Sequence, residues 1–240
     1  MRSRARSRLR LAAALATPLL VASLIAGVAF AAGLTVTSKN LTAQRTCVIS
    51  ATPTTSTAED DAWVDQNAPT TNNGTGNFID VQTGSARNRR GYLTFDLTVC
   101  TPAIPASATV RFATLRLYAT QVPTACHTYD VFDVPSTWAE NTITWNTQPF
   151  GTAVNNPASG TRTDAITIGG GTCTNTATGY VNGWTVTTDV QAFVAGSRTN
   201  FGWMIRDDAE NAATTDNARF ASREAGNNSR VPQLVIGWVP

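Results

Sequence analysis

Short stretches in which polar and apolar residues alternate constrain this fold more than any other feature of the sequence. Residues 92–97 show the pattern most clearly, because Leu93, Phe95 and Leu97 are each separated by a more polar residue. An alternation of period two is typical of a half-buried β-strand. Further stretches with strand-like composition are residues 78–81, 109–119, 127–134, 165–168, 184–188, 201–206, 219–222 and 234–238.

Clusters of turn-forming residues separate these stretches, for example at residues 72–74, 155–157 and 226–228. One segment instead predicts a helix, with Thr188 as its N-cap, Asp189 in its first turn and Gly196 just past its end. A change of phase at residues 113–114 predicts a β-bulge. Many short strands, polar turns and one short helix predict an all-β fold, an antiparallel, jelly-roll-like β-sandwich.

The N-terminus has the composition of an export signal. Five arginines and no acidic residue lie in the first ten positions, an apolar run covers residues 11–32, and Ala29-Phe30-Ala31 resembles a cleavage site. Residues 1–32 are therefore predicted to be a secretory signal peptide or, if uncleaved, a membrane anchor. Either one makes the rest of the chain a secreted or cell-surface protein. Residues 33–58 are a Thr/Ser-rich tether or first strand, and residues 59–240 are the predicted domain.

Charge and composition exclude several classes of function. The chain has 18 basic residues, but five lie in the first ten positions, which leaves 13 against 16 acidic residues. Nucleic acid is therefore not an expected partner. His127 is the only histidine, which excludes a multi-histidine metal site. The motifs of serine hydrolases, zinc proteases, phosphate-binding loops and EF-hands are also absent from the sequence.

Four cysteines in an exported chain predict two disulfides. Three pairings are possible, and the positions of the cysteines along the chain favour Cys47–Cys100 and Cys126–Cys173. A zinc site is disfavoured because the sequence has no C-x-x-C motif and a single histidine.

Several fragments, taken in order, resemble one family. The most specific is the block W-x-E-x-x-I-T-W-N-x-Q-P at residues 138–149. The others are residues 61–65, 90–97, 113–118, 184–193, 220–224 and 232–234. Together they resemble the DNRLRE domain, a disaggregatase-related, carbohydrate-binding-module-like family of secreted proteins, over residues 59–239. The resemblance implies an extracellular β-sandwich with a polysaccharide or cell-surface glycan as partner, acidic in some relatives, and a structural calcium ion.

Arginine and aromatic side chains are the candidate glycan-binding residues. Arginine can bind a carboxylate or sulfate through two parallel hydrogen bonds, and an exposed aromatic ring can stack on a sugar. Each also has a structural interpretation, since tryptophans pack in cores and charged strand edges discourage aggregation. The candidates are Trp63, Arg87, Arg89, Arg90, Tyr180 and Trp203. Trp138, Trp145 and Trp184 are expected in the core.

Side-chain oxygens near the start of the domain are the candidate calcium ligands. Asp61, Asp65, Asn72 and Asp80 lie close together in sequence. Calcium prefers clustered carboxylate and carbonyl oxygens. These residues and the resemblance together predict a structural calcium site, and no other cofactor is expected.

Three functions are compatible with the sequence, and we favour the first. It is a non-catalytic carbohydrate-binding or adhesion module, with acidic polysaccharides as candidate ligands. Exposed aromatic residues in a groove would support this function. The second is a structural extracellular protein with protein partners, which a flat apolar patch or an open sheet edge would support. The third is a small polysaccharide hydrolase or lyase, which needs two carboxylates facing each other across a cleft. Membrane contact is expected only through an uncleaved N-terminal segment.

Overall fold

The computed structural model describes residues 43–50 and 58–240. The predicted signal peptide or anchor, and the N-terminal segment apart from residues 43–50 and 58, lie outside the described residues. Within the described ranges, no helix is long and apolar enough to cross a membrane.

The described residues form thirteen strands and one α-helix. The strands are β1 (Arg45–Ser50), β2 (Glu59–Asp65), β3 (Phe78–Thr83), β4 (Arg89–Phe95), β5 (Thr109–Arg116), β6 (Tyr118–Gln121), β7 (His127–Asp133), β8 (Asp164–Ile168), β9 (Gly179–Tyr180), β10 (Trp184–Thr185), β11 (Trp203–Asp207), β12 (Asp216–Ala221) and β13 (Gln233–Val239). The helix α1 is Thr187–Val194. Short 3-10 turns lie at Leu97–Val99, Ser159–Thr161 and Arg223–Ala225.

The strands form two antiparallel sheets. The smaller has the order β1-β13-β5-β10, and the larger has the order β8-β7-β11-β4-β3-β12-β6-β9, with β2 also paired to β4. The larger sheet curls between β4 and β3, where the only Cα pair is Gln82 with Arg89. A Cβ added to Gly91 would lie 2.6 Å from Cγ2 of Ile79, so β3 packs over the inner face of β4. The predicted antiparallel β-sandwich with a short helix is confirmed.

Part of the N-terminal segment, predicted to be either a tether or a first strand, forms strand β1. It pairs with β13 along its whole length, its Ile49 is buried in the core, and Cys47 is bonded to Cys100. Residues 45–50 are therefore a first strand, and the folded unit begins before the predicted boundary at residue 59.

The alternating pattern fills a core between the sheets. Leu93 and Phe95 of β4 point into it and pack with residues from β5, β7, β11 and β13. Trp184, Trp203 and Trp238 are completely buried there. Large aromatic side chains stabilise a fold mainly through the apolar area that they remove from water.

A second core covers the other face of β2, β4, β7 and β11. Its buried residues are Ala62, Val64, Tyr92, Phe132, Val134, Ile143, Trp145 and Met204. Ile143 and Trp145 come from the block at residues 138–149, which lies over these strands. That block is therefore architectural, and it explains why both faces of β4 are buried.

The structure corrects two local expectations. Helix α1 begins two residues earlier than predicted, so Thr188 lies within it, and its N-cap is Val186 without a side-chain hydrogen bond. Gly196 does adopt a left-handed conformation, with φ +69, just after the helix. The β5–β13 register shifts between Gly237 and Trp238, opposite Phe112 and Val110, which places the irregularity nearer Arg111 than residues 113–114.

Candidate functional site

One face of the larger sheet, on strands β3, β12, β6 and β9, points away from the core; we call it the open face. Ile79, Val81, Ala218 and Phe220 point inward from β3 and β12. Because neighbouring side chains along a strand point to opposite faces, the residues between them belong to the open face. Arg219 of β12 and Asp80 of β3 lie there in contact with each other.

An aromatic and arginine cluster lies where the open face meets strand β2. We call Trp63, Phe78, Arg89 and Arg219 the edge cluster. The rings of Trp63 and Phe78 are stacked, with centroids 5.8 Å apart and an interplanar angle of 25°. Cζ of Arg89 lies 5.0 Å from the Trp63 ring centroid, and Cζ of Arg219 lies 4.7 Å from that of Phe78. Each guanidinium is thus held against an aromatic ring.

Two carboxylates fix the arginines of the edge cluster. Asp80 is fully buried and accepts hydrogen bonds from Arg89 at 2.9 Å and from Arg219 at 3.0 Å. Asp65 accepts a second bond from Arg89 at 3.0 Å. Arg219 uses only Nε in its bond with Asp80, and its side chain is 39% exposed. Within the described part of the chain, its two terminal nitrogens have no hydrogen-bond partner, so they can donate to a ligand.

The remaining glycan-binding candidates lie in three different environments. Arg87 is exposed in the turn between β3 and β4, next to the edge cluster in sequence. Tyr180 lies on β9, further along the open face, and its hydroxyl donates to the Val231 carbonyl at 2.9 Å. Arg90 and Trp203 are completely buried.

Burial removes Arg90 and Trp203 from the candidate site. Both terminal carboxylate oxygens of Glu210 accept hydrogen bonds from Arg90, at 2.6 and 2.8 Å, and its guanidinium lies 4.7 Å from the Trp145 ring centroid. Trp203 donates from its indole nitrogen to Asp189 at 2.9 Å. Neither side chain can contact a polysaccharide unless the fold opens around it.

The four predicted calcium ligands do not come together. Asp65 and Asp80 bond to arginines, while the Asn72 amide donates to the carbonyls of Glu140 and Ile143 at 2.7 and 2.9 Å. Asp61 is buried beneath the Arg223 backbone, whose N–H donates to it at 2.7 Å. Among the described residues, no group of three or more His, Cys, Asp and Glu side chains is arranged to hold a metal ion. Calcium binding stays a prediction.

Asp61 belongs instead to a buried acidic cluster. Burial raises the pKa of its carboxyl to about 8, and burial followed by the charge of Asp61 also raises the pKa of Glu59. Arg223 donates to both oxygens of Glu140 at 2.6 Å and to Glu224 at 2.8 Å. The neighbouring carboxylates hold the pKa of Arg223 above its usual value despite burial. This cluster joins β2 to the block at residues 138–149.

A separate cavity of about 660 Å³ is an alternative candidate site. It lies between β7, the residues before β8 and the start of helix α1. Arg198 donates to both Asp133 and Asp189 in its lining, whereas Arg162, also in the lining, pairs with Asp130 at 3.6 Å. Burial raises the pKa of Asp133 to about 6. The described residues that line this cavity include Phe132 and Phe150 but no Trp or Tyr side chain.

The sequence interpretation missed Phe78 and Arg219 as partners of Trp63 and Arg89. Both lie on strands that the sequence predicts. Each stands next to residues that point into the core, and this alternation predicts that Phe78 and Arg219 point outward. Arg219 stands between Ala218 and Phe220, which are both completely buried. An arginine at an outward strand position is therefore a better surface candidate than the adjacent pair Arg89 and Arg90.

The cysteine pairing favoured from the sequence is present. Cys47 is bonded to Cys100, and Cys126 is bonded to Cys173. No free cysteine remains among the described residues. Two disulfides in a chain of this size are typical of proteins from oxidising, extracellular environments.

An antiparallel β-sandwich with partly exposed aromatic and arginine side chains on one open face has the construction of a carbohydrate-binding module. The model of carbohydrate-binding module family 96 matches residues 52–237, and the chain belongs to that family. No curated protein matches the chain. The family match confirms the carbohydrate-binding part of the resemblance seen in the sequence.

Proposed function

We propose that this protein is a secreted, non-catalytic module that binds an acidic polysaccharide through the edge cluster. The observation that carries the proposal is the state of Arg219, which lies over the Phe78 ring and whose terminal nitrogens have no described hydrogen-bond partner. A planar guanidinium with two unoccupied donors matches the geometry of a carboxylate or sulfate.

The aromatic pair provides apolar contacts for the sugar ring, in addition to the hydrogen bonds from the arginines. Trp63 and Phe78 are both partly exposed, and their stacked rings form a rigid apolar surface beside the arginines. A pyranose ring can contact the exposed parts of the two rings that the stacking and the guanidiniums leave uncovered, while its acidic substituent reaches a guanidinium. Because Asp80 and the rings hold both arginines in place, binding costs less side-chain entropy than it would for flexible cations.

The non-catalytic assignment rests on the family and on the pairing of acidic groups. Carbohydrate-binding modules attach to polysaccharides without cleaving them, and the family match covers most of the chain. At the edge cluster, Asp65 and Asp80 are held by arginines as ion pairs, so neither is placed to act as a general acid. Secretion is supported by the two disulfides and by the N-terminal sequence.

A protein partner is less well supported by the surface. The exposed large hydrophobic side chains among the described residues are Val48, Val99 and Val154. Val48 and Val99 flank the Cys47–Cys100 disulfide. Such a pair offers far less area than the few hundred Å² of apolar patch that usually marks an interface.

Affinity electrophoresis in native gels tests the proposal. A gel containing a polyuronate should retard the wild-type protein, whereas a gel containing a neutral glucan should retard it much less. Arg219→Gln should lose most of this retardation. Arg45→Gln is the matched control, because Arg45 is an exposed arginine on β1 in the other sheet. Equal loss in both variants, or no retardation by any polysaccharide, would overturn the proposal.

A further inference from the structure

A second aromatic and arginine cluster lies on the same open face. We call Arg116, Tyr118, Tyr180 and Arg230 the tyrosine cluster. The rings of Tyr118 and Tyr180 meet edge to face, with centroids 5.4 Å apart. Cζ of Arg116 lies 4.8 Å from the Tyr180 ring centroid, and Cζ of Arg230 lies 4.9 Å from that of Tyr118. The pattern of the edge cluster, a ring pair with an arginine on each ring, is therefore repeated.

Strand pairing places both clusters on one face. Phe220 of β12 pairs with Ala119 of β6, and both point into the core. The register shifts between Arg219 and Phe220, but Arg219 still lies between two fully buried residues of β12. Tyr118 lies between two fully buried residues of the β6 segment, so both point outward on the same side. Tyr118 pairs directly with Tyr180 of β9, which continues the row to the edge of the sheet.

The arginines of the tyrosine cluster are less neutralised than those of the edge cluster. No described residue forms a salt bridge with Arg116 or Arg230, whereas Asp65 and Asp80 pair with Arg89, and Asp80 also pairs with Arg219. The Gln233 side chain is the described partner of Arg116, at 3.5 Å. The tyrosine cluster thus offers two cations without a described acidic partner.

The two clusters are separated by a distance that suits a chain rather than one sugar. From β3 to β9 the sheet takes three strand steps, by way of β12 and β6. With strands about 4.8 Å apart, Phe78 and Tyr180 are roughly 14 Å apart across the sheet. The β12 residue opposite Phe78 is the buried Ala221, whereas Arg219, two residues earlier on the same face, is 39% exposed.

We infer that the edge cluster and the tyrosine cluster are two subsites of one binding surface, which takes several consecutive residues of an anionic polysaccharide laid across the strands. This inference rests on the proposed function. It adds that the ligand is bound along its length instead of at a chain end. The second subsite contributes through the high effective concentration of a chain already held at the first.

The inference is tested by isothermal titration with uronic-acid oligomers of increasing length. Affinity should rise by at least about tenfold from the disaccharide to the hexasaccharide, since the short chain cannot contact Phe78 and Tyr180 at the same time. The double variant Arg116→Gln/Arg230→Gln should flatten this rise, so that the hexasaccharide gains little affinity over the disaccharide. It keeps both tyrosine rings, so the packing at the sheet edge is preserved.

A charge-matched control separates a specific subsite from bulk attraction. Arg45→Gln/Arg111→Gln also removes two exposed arginines, at the end of the smaller sheet where Arg45 pairs with Trp238. This control should keep the full dependence on length. Wild-type binding without a length dependence, or an equal effect of both double variants, would overturn the inference and leave the proposed function standing. Absence of wild-type binding to every oligomer and polymer would instead overturn the proposed function.

Discussion

Arg219 lies over the ring of Phe78, with its Cζ 4.7 Å from the ring centroid, and donates from Nε to Asp80 at 3.0 Å. These two contacts restrain the guanidinium, while the side chain is still 39% exposed. The arginine is thereby prepared for a planar anion before any ligand arrives. The binding function proposed for the open face depends on this arrangement more than on the number of positive charges.

Replacing Arg219 by lysine tests the importance of that geometry. Arg219→Lys keeps the charge but loses the planar fork and the stacking on Phe78, so we expect affinity for a polyuronate to fall several-fold. Titration calorimetry at low and high salt measures the change. The polyuronate binding that the Arg219→Lys variant retains should also weaken more steeply with salt than that of the wild type, because an exposed point charge is screened readily. Unchanged affinity would show that charge alone is sufficient.

Arg90 is expected to determine stability and not binding. Its guanidinium and the Glu210 carboxylate are both fully buried, so Arg90→Ala leaves an unpaired buried charge and should cost about 3–5 kcal/mol. Differential scanning calorimetry should show a fall in Tm of roughly 10 °C. Arg87→Ala, at an exposed turn, should change the free energy of unfolding by less than about 0.5 kcal/mol. The prediction fails if Arg90→Ala melts with the wild type.

The buried carboxyl of Asp61 predicts a pH dependence of stability. Its pKa is raised to about 8 in the folded protein from the ordinary 3.8, so the folded state retains a proton that the unfolded chain releases. The free energy of unfolding should therefore fall as pH rises between about 4 and 8, by up to about 1 kcal/mol per pH unit from this group. Thermal melts of the wild type and Asp61→Asn across this range measure the difference. The variant should have the flatter profile, and parallel profiles would contradict the assignment.

The Cys126–Cys173 disulfide should contribute substantially to stability. It closes a loop between residues separated by 47 positions, which corresponds to about 4 kcal/mol in the chain-entropy account. We expect Cys126→Ser/Cys173→Ser to lower Tm by roughly 8–16 °C. Polyuronate binding at 10 °C should persist, because both cysteines lie outside the two clusters. Loss of binding in a folded variant would place this disulfide in the binding surface.

The strands and the disulfides could be predicted from local sequence, but the burial of individual polar residues could not. Leu93 and Phe95 alternate as strand residues do, and they are buried as expected. Arg90 follows the same alternation and should face the solvent, yet the block at residues 138–149 and the residues after it cover it. That covering segment is distant in sequence, so no local pattern reports its position.

Local sequence also does not report which side chains come together in the candidate site. Trp63 and Arg89 were identified as binding residues from their types, but their partners Phe78 and Arg219 come from strands that pair only in the folded chain. Tyr118 and Tyr180 are brought together by the β6–β9 pairing in the same way. Carboxylates close in sequence, such as Asp65 and Asp80, predict a calcium site, but sequence does not report their arginine partners. In the structure Arg89 bonds to both carboxylates and Arg219 bonds to Asp80.

The most direct measurement compares wild-type binding to a polyuronate and to the same polymer after its carboxyl groups have been reduced to alcohols. Isothermal titration of both polymers at one salt concentration keeps the chain length and the sugar rings comparable. We expect clear binding to the polyuronate. Affinity for the reduced polymer should be at least about tenfold lower, because the arginines lose their anionic partners. Equal affinity for both polymers, or no binding to either, would contradict the proposed function.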